Sequence, residues 1–339
     1  MSRFEEIYPL FHEYDMFAQT IEVLKAPNVY KVMTPYGSFV CKRTPMKQGK
    51  IQFLGEVLRN LQQRGWEGAV PYFYTKFDEP FVARGEHLYY LSPWHAAVED
   101  GTEREESAEE EQDWSKALIN RLGELHHLTQ NYRFDDPKQV EPLVTALATK
   151  WQLWLDQTEM FAVTAQKRTY PSPFDVVFLA NHAFISERAQ SAIQLLQEWQ
   201  QKQRGHTHFR LSINHGFPHP AHLVSDRNGQ LKLINFDRAQ FDTPVRDLTL
   251  FYRTYFHMGG DEEGANLLLA SYQEIFPLRP DEIGLLVSFM QYPERVMRDL
   301  DSYYYGKQKW NELYAVKRLE KDIDRLYRIS SWSERAFTR

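Results

Sequence analysis

The chain has 339 residues, 42% of them hydrophobic, enough for a sizeable core arranged in two lobes or domains. Its 46 acidic and 40 basic residues give a formal charge of -6, which excludes a generic polyanion-binding surface, makes nucleic acid an unexpected partner and leaves room only for a local basic pocket. Cys41 is the only cysteine, Met1-Ser2-Arg3-Phe4-Glu5-Glu6 has no signal-peptide pattern and no long apolar run occurs, so we expect a disulfide-free soluble chain made in a reducing cytoplasm, without membrane insertion.

Residues 4–18 place Phe4, Ile7, Tyr8, Phe11, Tyr14 and Phe17 at helical spacing, which predicts an opening helix. Strand patterns follow at 20–24, 29–34 and 38–42, with Ala26-Pro27-Asn28 and Pro35-Tyr36-Gly37 as turns. Ile51, Leu54, Val57, Leu58 and Leu61 share one face of a predicted helix over 49–63, stopped near Gly65. Strand pattern returns at 69–72, 81–83 and 87–91. Three strands, a helix and further strands is the order of a kinase N-lobe, which predicts a small β-rich lobe over residues 1–95. The stretch 99–113 holds nine acidic residues and one arginine, a solvated linker over 96–113 where a kinase hinge gives way to the C-lobe. Helical patterning then dominates a larger lobe over 114–339: at 113–130, 137–158, 173–203, and after 245 at 281–292, 293–305 and 310–328. Pro293 marks a break between two of these helices.

Within that lobe, 211–214 reads as a strand leading into His215-Gly216, and 222–225 and 231–234 flank Asp226-Arg227-Asn228-Gly229-Gln230. Asn-Gly between alternating apolar residues signals a hairpin, because both residues tolerate positive φ. The region 211–237 thus brings residues near 215–222 beside residues near 235–237. The two segments resemble the catalytic centre of aminoglycoside- and choline-kinase-like phosphotransferases, where the first reads His-Gly-Asp-x-His-x-x-Asn and the second Ile-Asp-Phe. Phe217 stands where the base Asp belongs, His222 where the metal-binding Asn belongs, and Asn235 where the metal-binding Asp belongs. Phe217 cannot accept the substrate's proton. Asn235 lacks the charge that a hard cation favours, and His222 offers a nitrogen better suited to zinc or copper than to magnesium. Asp237 is the one acid left in reach. It is either a relocated metal ligand or a buried, loop-capping carboxylate.

Other positions carry paired readings. Lys42, ending the third strand, stands where kinases keep the lysine for nucleotide phosphates, with Glu56 on the next helix as its natural partner; alternatively both are simply exposed. Leu91-Ser92-Pro93-Trp94 falls at the hinge, where an adenine would bond the backbone, or is a strand end stopped by proline. No glycine-rich phosphate cover is present. His215, His219 and His222, with His206 and His208 upstream, have spacing that could bind zinc; the kinase-like register instead keeps His215 as a structural loop residue. Pro244-Val245-Arg246-Asp247-Leu248 matches the Pro-x-x-Asp-Leu that follows the metal loop in aminoglycoside-kinase-like proteins, with Asp247 expected to cap the next helix.

Taken with Cys41-Lys42, Tyr89-Tyr90-Leu91-Ser92-Pro93-Trp94, Tyr170-Pro171-Ser172-Pro173-Phe174, Asn214-His215-Gly216 and Leu233-Ile234-Asn235-Phe236-Asp237, the chain resembles the spore-coat-associated kinase-like CotS family of endospore-forming bacilli. Within it, the run Ile-Asn-Phe-acid resembles the YsxE branch. The resemblance implies an α+β, bilobal, aminoglycoside-phosphotransferase-like fold. It also implies synthesis in the mother-cell cytoplasm, association with the developing spore coat and other coat proteins as partners. With its base and metal positions replaced, the chain reads as a pseudokinase acting in coat assembly rather than an enzyme. The alternative is an active ATP-dependent small-molecule or protein kinase with an unusual magnesium site built on Asp237 and Lys42, perhaps with His219; ATP and magnesium are expected only in that case.

Overall fold

The computed structural model describes residues 4, 6–25, 27–97, 108–130, 141–203, 210–306 and 309–337. The turn residue Ala26, most of the acidic stretch, the start of the helix expected at 137, and His206 and His208 lie outside them. The chain divides into two compact units, Met1–Leu128 with Ile213–Gln240, and Thr129–Ser212 with Phe241–Arg339.

The first unit is built on a five-stranded antiparallel sheet. Its strands are β1 (Thr20–Lys25), β2 (Val29–Thr34), β3 (Gly37–Thr44), β4 (Val82–Arg84) and β5 (His87–Pro93), in the order β1-β2-β3-β5-β4. The two-residue alternation decides what each face carries. Tyr30, Val32, Phe39, Cys41, Tyr89 and Leu91 are buried with Ile7, Leu10, Phe11 and Tyr14 in one apolar cluster. Lys42 and Thr44 alternate with Cys41 and therefore face the other way. Tyr90, the direct cross-strand partner of Lys42, faces with them.

The segment that packs on this sheet is a 3-10 helix over Tyr8–Tyr14 rather than the α-helix expected across 4–18. Pro9 sits in its first turn, and Asp15 ends it with φ 51°. The apolar spacing survives because Ile7, Leu10, Phe11 and Tyr14 still share a face. The helix α1 (Gln48–Gln63) buries Ile51, Leu54, Val57, Leu58 and Leu61 as its periodicity predicts.

Residues 69–72 do not form a regular strand. Ala69 makes a single parallel bridge to Leu233, and Leu233 N–H donates to Gly68 O at 2.8 Å while Val70 N–H donates to Leu233 O at 2.9 Å. Pro71 has no N–H with which to continue a ladder. This short rail guides the hairpin of β8 (Leu223–Ser225) and β9 (Leu231–Leu233), while β6 (Ala96–Ala97) pairs with β8 from its other side. The hairpin turn also differs from the expected Asn-Gly geometry. Gly229 alone has positive φ, at 75°, while Asn228 does not. The loop is organised by Asp226, whose carboxylate accepts from Asn228 N–H at 2.8 Å and Gln230 N–H at 2.9 Å. A glycine in the left-handed region closing a three-residue loop is the common alternative to a two-residue turn. β7 (Ser212–Asn214) leads into His215.

In the helical part of the chain, α2 (Ala108–Thr129) begins earlier than its periodicity suggests, and α3 (Glu141–Gln166) runs on past 158. α4 (Pro173–Gln203), α5 (Val245–His257), α6 (Glu262–Ile275), α7 (Pro280–Gln291), α8 (Glu294–Tyr304) and α9 (Glu312–Phe337) follow. Pro293 stands at the N-cap of α8, between two separate helices. In the second unit Phe161, Phe174, Phe178, Val296, Leu300, Leu319 and Ile323 are buried together. The run Tyr170-Pro171-Ser172-Pro173-Phe174 opens α4 through a reciprocal cap: Ser172 Oγ accepts from Asp175 N–H at 3.1 Å, and Asp175 Oδ2 accepts from Ser172 N–H at 2.8 Å. Asp175, fully buried, also holds Arg168 at 2.7 Å and accepts from Tyr304 OH at 2.8 Å.

Candidate functional site

Lys42, His215, Phe217, His222, Asn235 and Asp237 all lie in the first unit, and one chain of contacts runs through them. Lys42 Nζ donates to Asn235 Oδ1 at 2.5 Å and pairs with Asp237 Oδ2 at 2.8 Å, with 16% and 12% of the two side chains exposed. Asn235 Nδ2 lies 2.8 Å from His222 Nε2, and His222 Nδ1 lies 2.9 Å from Phe217 O. An amide NH2 can only donate, so His222 Nε2 accepts and Nδ1 carries the proton to Phe217 O. The imidazole is therefore neutral. Burial, opposed by the Phe217 carbonyl and reinforced by His215, His219 and Lys42, lowers its pKa to about 4.

The backbone is shaped to permit this chain. Asn235 has φ 67° and ψ 54°, a left-handed conformation that asparagine tolerates better than most residues. Gly216 has φ 78°, and a Cβ there would lie 2.1 Å from Arg238 O, so the 215–217 bend and the 236–238 turn approach as closely as glycine allows. His215, with no exposed surface, holds the same two segments: its Nε2 lies 2.8 Å from Ile234 O, and its Nδ1 accepts from Phe217 N–H at 3.3 Å. Its expected structural role therefore has a concrete form.

Asp237 is enclosed by groups the sequence did not single out. Thr44 Oγ1 and Tyr90 OH each lie 3.4 Å from Asp237 Oδ1, and Lys50 Nζ donates to Asp237 O at 2.8 Å. Burial lowers the Lys50 pKa, partly offset by Asp237. The Tyr72 ring lies 4.5 Å from the Tyr90 ring, and both phenols are pushed above their ordinary range, first by burial and also by nearby Asp237. Tyr72 OH is buried with no hydrogen-bond partner. Thr44 and Tyr90 follow from strand register once Lys42 is placed. Lys50 left no comparable signal beyond its position in the first turn of α1.

Two expectations need correction, the partner of Lys42 and the cap of α5. Lys42 pairs with Asp237 and not with Glu56, which is exposed and accepts from Gln52 Nε2 at 3.1 Å. Leu91 is buried within the sheet, and its carbonyl accepts from Phe73 N–H at 2.7 Å; Ser92 pairs across to Val40. Asp247 lies inside the first turn of α5 and is not its cap: Pro244 holds that position, and Thr243 Oγ1 accepts from Val245 N–H at 3.4 Å. His219 Nδ1 accepts from Ala221 N–H at 3.1 Å, capping a short 3-10 turn.

Phe217 does not fill a buried position. It is 38% exposed, meets His222 edge-on at 5.0 Å between ring centres, and carries the Arg238 guanidinium 4.7 Å above its face. A magnesium–phosphate centre does not fit these residues. Both nitrogens of His222, both ends of the Asn235 amide and Oδ2 of Asp237 already have partners within the chain, and a hard cation needs several free oxygens. A zinc site fails for a similar reason, since both nitrogens of His215 and of His222 are committed. Among the described residues, no group of three or more His, Cys, Asp or Glu could hold a metal ion, and no helix is long and apolar enough to cross a membrane.

A family model described as "Spore coat putative kinase YutH" matches residues 9–333. Among solved structures, an aminoglycoside phosphotransferase from Alicyclobacillus acidocaldarius is 15% identical with a TM-score of 0.78, the alignment covering 98% of this chain and 96% of that one. Spectinomycin phosphotransferase APH(9)-Ia, in complex with ADP and spectinomycin, is 15% identical with a TM-score of 0.59, covering 95% and 97%. A protein from Ralstonia eutropha described as a putative aminoglycoside phosphotransferase is 11% identical with a TM-score of 0.54, covering 98% of each chain. No curated protein matches. The fold is thus the aminoglycoside-phosphotransferase-like kinase fold, an N-terminal antiparallel sheet followed by a mostly helical C-terminal lobe. The YsxE branch expected from Ile234-Asn235-Phe236-Asp237 finds no support in the matching description.

Proposed function

The chain belongs to the spore coat putative kinase YutH family, and from that membership we propose that it is a kinase-fold protein without phosphoryl transfer, serving spore coat assembly by binding other coat proteins. The observation that carries this reading is the closed sequence of bonds from Phe217 O through His222 and Asn235 to Lys42 and Asp237. Phe217, His222 and Asn235 satisfy one another's hydrogen bonds within the chain, which supports the reading. A general base alone contributes roughly 10²–10⁴-fold to such reactions, and a phenylalanine at that position supplies none of it.

The test is a calorimetric titration of ATP into the purified protein, with and without magnesium, combined with an assay for ADP release. We expect no turnover and no gain in affinity from magnesium. Tight magnesium-dependent binding that Asp237→Ala abolishes would overturn the reading. It would favour an active phosphotransferase built on Lys42 and Asp237, an alternative supported by the retained 2.8 Å ion pair between them.

A further inference from the structure

On the reading that this chain binds other coat proteins, we propose that Phe17, Tyr36, Phe73 and Phe77 form a docking surface in the first unit. Its occupant is a protein segment that interleaves basic and apolar side chains.

The four rings are exposed, Tyr36 by 75%, Phe77 by 68%, Phe17 by 59% and Phe73 by 37%. They gather around residues 12–17. Tyr36 N–H donates to Thr34 Oγ1 at 3.1 Å, and that hydroxyl lies 3.9 Å from the sulfur of Met16, next to Phe17. The Phe73 ring lies 6.0 Å from Tyr14 and 5.1 Å from Phe39, which anchors its covered side in the core. Phe77 follows Lys76, whose N–H donates to Glu13 O at 2.8 Å and whose Nζ donates to His12 O at 3.0 Å. Single exposed apolar side chains are ordinary, whereas several brought together from separate segments and rimmed by polar groups mark a contact site.

The backbone holds these rings in place. Asp15 and Asp78 have φ 51° and 60°, and among the described residues only Asn235 joins them as a non-glycine with positive φ. Such conformations persist where the surroundings impose them. Around Asp78 the cause is explicit. Thr75 Oγ1 accepts from Phe77 N–H at 3.3 Å and from Glu79 N–H at 3.1 Å, and Arg59 donates to both carboxylate oxygens of Asp78. A side chain fixed in advance loses little freedom when a partner covers it.

Charge selects the occupant. Glu13, Asp15, Asp78 and Glu79 stand against Lys76 and Arg59, an excess of two carboxylates, and both cations already pair with Asp15 and Asp78. A second copy of the chain would bring the same acids and a formal charge of -6, setting like charge against like. A basic segment complements the rim, and its apolar side chains complement the rings.

The experiment titrates three synthetic peptides on a common glycine–serine background into the full chain. One carries lysine and phenylalanine, one lysine alone, and one glutamate and phenylalanine. We expect only the first to bind, and added salt to weaken it. Phe77→Ser should weaken binding roughly tenfold, the order of one aromatic hot-spot contact. Glu13→Gln combined with Glu79→Gln should weaken it less and flatten its salt dependence, with thermal unfolding confirming that the variants fold. Leu153→Ser, which removes an exposed apolar side chain from α3 in the second unit, should leave binding unchanged. Equal binding of the lysine-only peptide reduces the surface to charge, and equal binding of the glutamate peptide reduces it to indiscriminate apolar contact; either overturns the inference. Unchanged affinity in Phe77→Ser overturns it too, as does self-association in sedimentation that Phe77→Ser abolishes, which identifies a second copy as the occupant. If no peptide binds and ATP is not turned over, this inference falls while the absence of phosphoryl transfer stands. ADP release in magnesium overturns the proposed function whatever the peptides do.

Discussion

Asp299 on α8 and Asp322 on α9 are 1% and 4% exposed, and Oδ2 of each is buried without a hydrogen-bond partner. A proton on one of these neighbouring carboxyls would let it donate to the other. Arg318 Nε donates to Asp299 Oδ1 at 2.8 Å, Arg325 pairs with Asp322 Oδ1, and Arg295 Nε lies 3.6 Å from Asp322 Oδ2. Arg325 in turn lies 3.1 Å from His257 Nδ1 on α5. Burial first, then the neighbouring Asp322 carboxyl, pushes the Asp299 pKa up to about 7 from an ordinary 3.8. A carboxyl whose folded pKa is raised contributes stability that is complete below the unfolded value and drains away as pH rises through the folded one. At about 1.4 kcal/mol per unit, three units amount to roughly 4 kcal/mol lost between pH 4 and pH 7.

A wild-type pH profile alone would hide this effect. His222 has the opposite sense: its pKa is lowered from 6.5 to about 4, so its contribution is present above pH 6.5 and drains as pH falls toward 4, by roughly 3 kcal/mol. The two windows overlap and their slopes oppose. The informative quantity is the difference between wild type and Asp299→Asn, in which the amide keeps a donor to Asp322 but no longer titrates. Urea unfolding at a series of pH values should show the variant gaining on wild type by about 3–4 kcal/mol between pH 4.5 and pH 8. A difference that stays constant within about 1 kcal/mol across that range refutes the shared proton, since an ordinary lost contact would shift the whole curve evenly.

Three further outcomes follow from the geometry. Gly216→Ala forces a Cβ to 2.1 Å from Arg238 O at φ 78° and should cost about 2–4 kcal/mol in unfolding free energy, well above the ordinary Gly-to-Ala effect. Asp175→Ala strips a buried carboxylate from Arg168, Ser172 and Tyr304 and should cost about 3–5 kcal/mol, whereas Ser172→Ala, which loses only the cap, should cost about 1 kcal/mol; equal losses would contradict the assignment. Restoring Phe217→Asp, His222→Asn and Asn235→Asp together should create magnesium-dependent ATP binding in a titration, while any one of them alone should not.

The elements readable from sequence were those whose signal is local. Alternation placed β2, β3 and β5, and the β8–β9 hairpin needed only two short apolar runs around a glycine. Local signals failed where a single residue changed the hydrogen-bond bookkeeping. Pro9 and Asp15 turned an apolar helix pattern into a 3-10 segment, and Pro71 reduced a strand pattern to one bridge. In the site, the replaced residues were visible because they occupy fixed offsets within two short segments. The partner of Lys42 was not, because 195 positions separate it from Asp237 in a sequence numbered 42 and 237, and nothing local distinguishes that acid from Glu56. Lys50 was missed for the same reason: its acceptor is a backbone carbonyl, and a carbonyl carries no residue identity.

Phe217, His222 and Asn235 are chemically interdependent, so on the proposed reading they count as one change. An aspartate at 235 would present only acceptors, leaving His222 Nε2 facing an oxygen and requiring a second ring proton. Yet burial and Lys42 hold that ring neutral. An asparagine at 222 could not both reach Asn235 and supply the N–H that now binds Phe217 O in the same planar geometry. An aspartate at 217 would add a carboxylate beside this neutral network, where Arg238 now lies over an aromatic face. Changing His222 or Asn235 alone therefore inserts an uncompensated group into a satisfied network, at a cost of about 1–3 kcal/mol for a buried polar mismatch. Only a joint change at 217, 222 and 235 exchanges one self-consistent arrangement for another.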